Sequence, residues 1–279
     1  MARTKAISLL QAAAEKADLQ EIYGIVIDNV RKSTLSDQLK STLYTGNPAA
    51  GSVEFKRFVN SGSKNYGAAR MAGKGDAITA PPITVNLDLH KEIVEEIARF
   101  DLDTFGVGNI MARRAANHID AMATDLDTAF FTAAGAAASP VSPTATDEAE
   151  KLEEMFVTLE TVKNDYVQGV PRNMIVAVVT PAYYSKIRNK LDSLPASNVD
   201  TAAEEFAIYH GVRVYSGLNL PEGVDAIVMA NGSVALPVVT YPYSEPEKIP
   251  LSNDYAVSLF YDYGVKALTP DLIFKLGAA

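Results

Sequence analysis

One stretch constrains the fold more than any other. From Asn109 to Ala134, apolar residues recur at Met111, Ala115, Ile119, Met122, Leu126, Phe130 and Ala133, each step three or four residues. That spacing puts them on one face of a single α-helix, with Arg113, Asn117, Asp120, Thr124 and Thr128 on the opposite stripe. At 1.5 Å per residue the helix would run about 39 Å, long for a domain of this size. Gly135 is expected to end it, ahead of the small-residue and proline segment AAASPVSPTAT.

Before this helix, residues 4–43 read as an arm of three short amphipathic pieces. Ile7, Leu10, Ala14 and Ala17 form the first, Ile22, Ile25 or Val26, and Val30 the second. Ser33-Thr34 breaks the run, and Leu35, Leu39 and Leu43 resume it. Helices this short are marginal alone in water, so they need a surface to lie on, in this chain or in another subunit. Gly46-Asn47-Pro48 ends the arm. Two strands are expected next, at Ser52–Val59 and at Ile83–Leu89, the second with Ile83, Val85, Leu87 and Leu89 on one face. The tip joining them, NSGSKNYGAARMAGKGDAITAPP, is about twenty residues long, uncommon in a compact domain unless it has a task or is mobile.

After the long helix, Asp147 with Glu150 fits a capping box. It would open a helix with Leu152, Met155 or Phe156, Leu159, Val162 and Tyr166 inward, closed by Gly169 and Pro171. Met174–Val179 reads as a buried strand, and Thr180-Pro181 starts a further helix ending near Leu194-Pro195. Val212–Tyr215 and Ile227–Met229 are short strands. In Tyr255–Tyr263, Val257, Leu259, Tyr261 and Tyr263 share a side; Gly264 allows a turn, and Leu272–Leu276 is a last strand. Strands and helices mix without regular βαβ units, so the class is α+β.

The 279 residues hold enough apolar material for a sizeable core: 48% are hydrophobic and 21% charged. No run approaches the ~18 apolar residues of a membrane span, so no membrane partner is expected. Gln11, Glu15 and Lys16 interrupt the apolar patch of the N-terminus early, which reads against a secretory signal and for a protein kept inside a cell. With no cysteine, disulfides, thiolate metal sites and cysteine nucleophiles are excluded.

Catalytic constellations are sparse. His90, His118 and His210 show no metal-ligand spacing, and no metal or cofactor is expected. His90 among Asp88, Glu92, Glu95 and Glu96 reads as a solvated acidic segment, and His118 as a satisfied interfacial histidine. Gly67–Gly75 is one residue too long for a phosphate loop, and Gly106-Val-Gly108 lacks the third glycine of a dinucleotide fingerprint. Asp101 with Asp103, and Asp125 with Asp127, are carboxylate pairs two apart, which do not face one another on a helix. No enzyme class is supported.

Charge does carry a signal. The net charge is −9, which argues against dedicated nucleic-acid gripping. Yet Phe55–Gly75 holds Lys56, Arg57, Lys64, Arg70 and Lys74 and no acid. The adjacent stretch 88–103 holds Asp88, Glu92, Glu95, Glu96, Asp101 and Asp103 against Lys91 and Arg99. The bland reading is a solvated hairpin. The sharper one makes those five basic residues inter-subunit contacts that meet the acidic stretch of a neighbouring copy, since complementary patches fix register and partner choice.

This order of parts resembles the Hong-Kong-97-type fold of tailed-bacteriophage major capsid proteins. VEFKRFV and ITVNLDLH resemble its extended loop, ARRAANHIDAMATDLDTAFFTAA its spine helix, NMIVAVVTPAYYSKIRN a core piece of its axial domain, and YAVSLFYDYGVKALTPDLIFKL the closing strands of its peripheral domain. The resemblance implies an N-terminal arm over 1–45, an extended β-loop over 46–90, and a peripheral domain with spine helix over 91–146. A mainly axial domain over 147–240 and a return to the peripheral domain over 241–279 complete it. It also implies a non-enzymatic structural protein of the virion that self-assembles into pentamers and hexamers of an icosahedral head. The head encloses double-stranded DNA without sequence-specific binding. Assembly would occur in the bacterial host cytoplasm with portal and a separate scaffolding protein as further partners. An encapsulin-type compartment shell is the nearest alternative, and an α+β enzyme with an unrecognised site the more distant one.

Overall fold

The computed structural model describes residues 2–63, 65, 77–192 and 208–277, with backbone alone for 2–15, 191 and 192. The helices are α1 (Ala2–Ser33), α2 (Leu35–Leu39), α3 (Arg99–Phe105), α4 (Val107–Ala137), α5 (Glu148–Glu160) and α6 (Pro181–Asp192). The main strands are β1 (Ser52–Lys56), β2 (Pro82–Asn86), β3 (Leu89–Ile97), β4 (Ser139–Pro140), β5 (Ile175–Val179), β6 (Ile208–Tyr209), β7 (Val212–Ser216) and β8 (Val224–Ala230). They continue with β9 (Val234–Ala235), β10 (Val238–Tyr241), β11 (Glu247–Lys248), β12 (Tyr255–Tyr263), β13 (Lys266–Ala267) and β14 (Ile273–Gly277).

Helix α4 is the long helix that the periodicity predicts. Met111, Ala115, Met122, Leu126 and Phe130 are buried along it, while Arg113, Asn117, Asp120, Thr124 and Thr128 face solvent. Toward its end the buried face turns by one position, from Ala133 to Ala134, and widens to include Phe131. The helix also outruns its expected stop. Gly135 lies buried within the last turns, where an added Cβ would stand 2.9 Å from Pro221 Cγ. It serves close packing there, not termination.

The arm is one helix and a short second one, not three pieces. α1 is continuous over 32 residues. Its Leu19, Ile22, Val26 and Val30 pack with the face of α4 in one core, while Ile25 is half exposed. The chain breaks at Thr34, as the sequence suggests, and α2 buries Leu39. Leu43 falls beyond α2 and is exposed. The surface that these helices need is thus supplied within the chain from Leu19 onward.

Two sheets organise the rest. In the first, β12 pairs antiparallel with β3 along its whole length, Tyr255 opposite Ile97 through Tyr263 opposite Leu89, and with β10 and β11 on its other side. In the second the order is β4-β14-β8-β5-β7-β6. Strand alternation splits this sheet between two cores: Val176, Val178, Ile227 and Met229 join α4, and Ala177, Val179, Ala226 and Val228 join α5 and α6. The six-stranded sheet is therefore covered on both faces, which is why β5 is buried at every position. The closing segment is shared out, β12 going to the first sheet and β14 to the second.

Local signals account for several boundaries. Asp147 caps α5 by accepting the Ala149 amide at 3.0 Å, and α5 ends at Glu160, before Val162 and Tyr166. Thr180 Oγ1 accepts the Tyr183 amide at the start of α6. The expected end of α6 near Leu194-Pro195 lies outside the described residues. β12 spans Tyr255–Tyr263 with the four expected residues inward.

Candidate assembly surface

The two-stranded projection is rooted by β1 and β2, antiparallel from Ser52 opposite Asn86 to Lys56 opposite Pro82. Val53, Phe55 and Val85 are buried against Ala235 and Leu268 at its base. Gly264 shapes this base by close approach, not by a turn: a Cβ there would lie 2.0 Å from the Asn86 carbonyl oxygen. The strands pass into non-strand chain after Lys56, and Val59 donates its amide to the Thr79 carbonyl. Of the five basic residues, Lys64, Arg70 and Lys74 lie outside the described residues, as does the segment Gly67–Gly75. Lys56 has a half-exposed side chain 3.5 Å from Glu54. Arg57 faces its own chain, holding Asp271 through two bonds of 2.6 and 2.8 Å and lying 4.1 Å over the Tyr166 ring.

The acidic stretch 88–103 is largely a strand, which sequence reasoning reads only as a solvated segment. β3 sits at the edge of its sheet, with Asp88, Glu92, Glu96, Asp101 and Asp103 exposed. Its inward residues explain why the pattern is hard to see. Ile93, Glu95 and Ile97 point to α4, so an acid interrupts the apolar alternation. Glu95 accepts from Arg114 at 2.8 Å and contacts His118 Nε2 at 3.1 Å. Burial of Glu95 opposes its ionisation, but bonds from Arg114 and His118 and their charges outweigh it and hold its carboxyl below the ordinary value.

His118 is fully buried, with Nδ1 2.6 Å from the Tyr243 hydroxyl. Both ring nitrogens are thus partnered, Nε2 by Glu95 and Nδ1 by Tyr243. Burial, then the Glu95 charge, pushes the tyrosine up to about 12. This triad ties α4 to the first sheet; the signal that would have found it is the lone acid at an inward strand position. His90 bonds Asp262 at 2.7 Å, and His210, at a turn with φ +47°, bonds Glu153 at 2.9 Å. The paired carboxylates part company as expected: Asp125 accepts the Tyr261 hydroxyl at 2.7 Å, and Asp127 binds the start of α2. Among the described residues no cluster of three metal-ligating side chains occurs, and no helix is long and apolar enough to cross a membrane.

The model of the phage capsid protein family matches residues 91–276, from β3 almost to the end of β14. The chain is a phage capsid protein. Solved structures give the same fold from a different direction. A chain from the structure of Mycobacterium phage Che8 is 20% identical, with a TM-score of 0.61 over 83% of this chain and 85% of that one. The capsid of cyanophage P-SCSP1u is 15% identical, with a TM-score of 0.62 over 88% of each chain. A virus-like particle from Pyrococcus furiosus is 14% identical, with a TM-score of 0.59 over 92% of this chain and 98% of that one. No curated protein sequence matches. The capsid protein has the α+β, Hong-Kong-97-type architecture expected from its sequence, with α4 as its spine helix. It is a structural major capsid protein, self-assembling into the icosahedral shell of the virion.

Proposed function

We propose that this capsid protein closes its head as pentamers and hexamers around double-stranded DNA that it does not read by sequence. The observation that supports it is the family match across 91–276, in a chain whose β1–β2 projection and α4 stand in capsid order. The net charge of −9 suits a lining that does not hold phosphates, because each neutralised phosphate would add salt-dependent grip. The role is structural and requires no chemistry of its own. Portal, a separate scaffolding protein and assembly in the host cytoplasm complete the proposal. So does the division into arm, projection, peripheral and axial parts. A compartment shell would share the fold, but the family matched is that of phage capsids.

Within the shell, the projection lies across a neighbouring copy. Lys56, Lys64, Arg70 and Lys74 meet the exposed acids Asp88, Glu92, Glu96, Asp101 and Asp103 of that copy, while Arg57, the fifth basic residue, stands at the root of the contact. Electron microscopy of the expressed protein is the test: closed shells are expected. A monomer or dimer at all concentrations in size exclusion would sink the reading. Reversal of Lys56, Lys64, Arg70 and Lys74 to Glu is expected to abolish shells while the subunit melts as before. Normal shells from that variant would remove the docking role.

A further inference from the structure

The way the projection is attached is uneven. Its apolar root is small, Val53, Phe55 and Val85 on Ala235 and Leu268. Apolar contact has no direction, so this root resists removal of the projection better than its rotation. At the root the directional contacts include the Thr45–Glu54 backbone pair and the Lys266 Nζ bond to the Thr84 carbonyl at 3.0 Å; the forked side-chain contact comes just after β1. The Arg57 guanidinium holds both oxygens of Asp271, a forked geometry that fixes angle as well as distance. Its flat face covers the Tyr166 ring.

The cradle for Arg57 is itself built. Asn164 donates its amide to the Asp271 carboxylate at 2.5 Å and accepts the Tyr166 and Val167 amides at 2.8 and 2.9 Å. Next door, the Asn60 amide donates to the Asp165 carbonyl at 2.8 Å. Asp271 precedes Leu272, which is buried in the core between α5, α6 and the six-stranded sheet. Beyond these contacts, Val59–Gly62 and Asn164–Gly169 stand apart across an open cleft of about 620 Å³. Among the described residues, this pair and the Asn60–Asp165 bond are where the body grips the projection beyond its apolar root.

We propose that Arg57 is a positioning residue: its pair with Asp271 sets the direction in which the projection leaves the six-stranded-sheet unit, and so the curvature of the shell. The second step rests on the reading that the projection reaches a neighbouring copy. A head-to-tail contact closes or stays open according to the rotation it imposes. A projection free to swing imposes no single rotation.

Arg57→Lys keeps the charge but loses the fork and the flat face, and Asp271→Asn keeps the shape. In the unassembled subunit, each is expected to speed hydrogen exchange at the Asn60 amide at least tenfold, with amides around Phe130 unchanged. On assembly, each is expected to turn shells of one diameter into a mixture of open sheets, tubes and shells of several sizes. Met122→Leu, a change in the core between α1 and α4 and not in the one that holds Leu272, serves as the control and keeps one diameter. Unchanged Asn60 exchange, uniform shells despite faster exchange, or loss of Phe130 protection in Arg57→Lys would each overturn the proposal. If the unaltered chain forms no shells, the neighbour-reaching reading fails instead, and the Asn60 exchange still decides whether the pair holds the projection.

Discussion

The carboxylate of Asp127, on α4, accepts the backbone amide of Ser36, at the start of α2, at 2.9 Å. Its second oxygen accepts the Leu35 amide at 3.1 Å. Thr34, the residue that stands at the cap position, makes no cap bond and returns its hydroxyl to the Val30 carbonyl at 2.9 Å. The orphan amides of α2 are thus satisfied by another helix 91 positions away. A negative charge at a helix start is also favoured by the helix dipole. The arm is pinned to the spine helix by this cap as well as by its apolar face.

Asp127→Ala is accordingly expected to cost about 1–2 kcal/mol, read from denaturant unfolding of the unassembled subunit. Asp127→Asn, which retains one acceptor oxygen, should cost less than Asp127→Ala. Equal losses in the two would show that the cap is not the source.

Glu95 makes stability depend on acid. Its folded carboxyl ionises below the ordinary glutamate value of 4.5 because of Arg114 and His118, despite burial. The stabilisation is present above pH 4.5 and is lost as pH falls through the lower, folded value. Asp271, held down by Arg57 against the opposing effect of burial, acts in the same direction below 3.8. Melting curves taken from pH 7 downward should steepen in their fall below about 4.5, and Glu95→Gln should flatten that part of the slope.

Gly264→Ala places a methyl into the Asn86 carbonyl oxygen, 2.0 Å from its Cβ. Both are backbone-positioned, so neither side yields cheaply. A loss of about 1–3 kcal/mol is expected, as for other overpacked sites. Hydrogen exchange should rise first in β2, whose last residue is Asn86.

Phe130 is fully buried and meets Phe131 edge to face at 5.3 Å between centroids. Phe130→Ala should cost about 3–5 kcal/mol. Phe105, which is 45% exposed at the end of α3, should tolerate alanine within about 0.5 kcal/mol. Chemical denaturation of both variants side by side checks the contrast.

The parts most legible in the sequence are those where one face of one element is apolar throughout. α4 and β12 carry such patterns: the span and inward face of β12 follow from spacing alone, and so does the buried face of α4 as far as Phe130, although α4 runs on past Gly135. β3 was not legible because its inward Glu95 breaks the alternation, and its partner β12 lies about 160 residues later. α3 was not read either; only Leu102 of that short helix joins the core. The continuity of α1 was hidden because Lys16, Ala17 and Asp18 are exposed just ahead of the packed Leu19, Ile22, Val26 and Val30. For the basic residues, sequence supplied the charge and the projection, but not that Arg57 is already partnered by Asp271, 214 positions away.

The sequence by itself determined many of the elements, among them the long amphipathic helix and the basic hairpin, and the α+β class. These follow from local periodicity, which the chain carries within a few turns of itself. Only the tertiary structure decided that α1 lies on α4, that β12 and β14 part into different sheets, and that Arg57, Glu95 and Asp127 spend their charges inside the subunit. Polar partners are chosen by proximity across the fold, and a charge shows nothing in sequence of the distant group that will meet it.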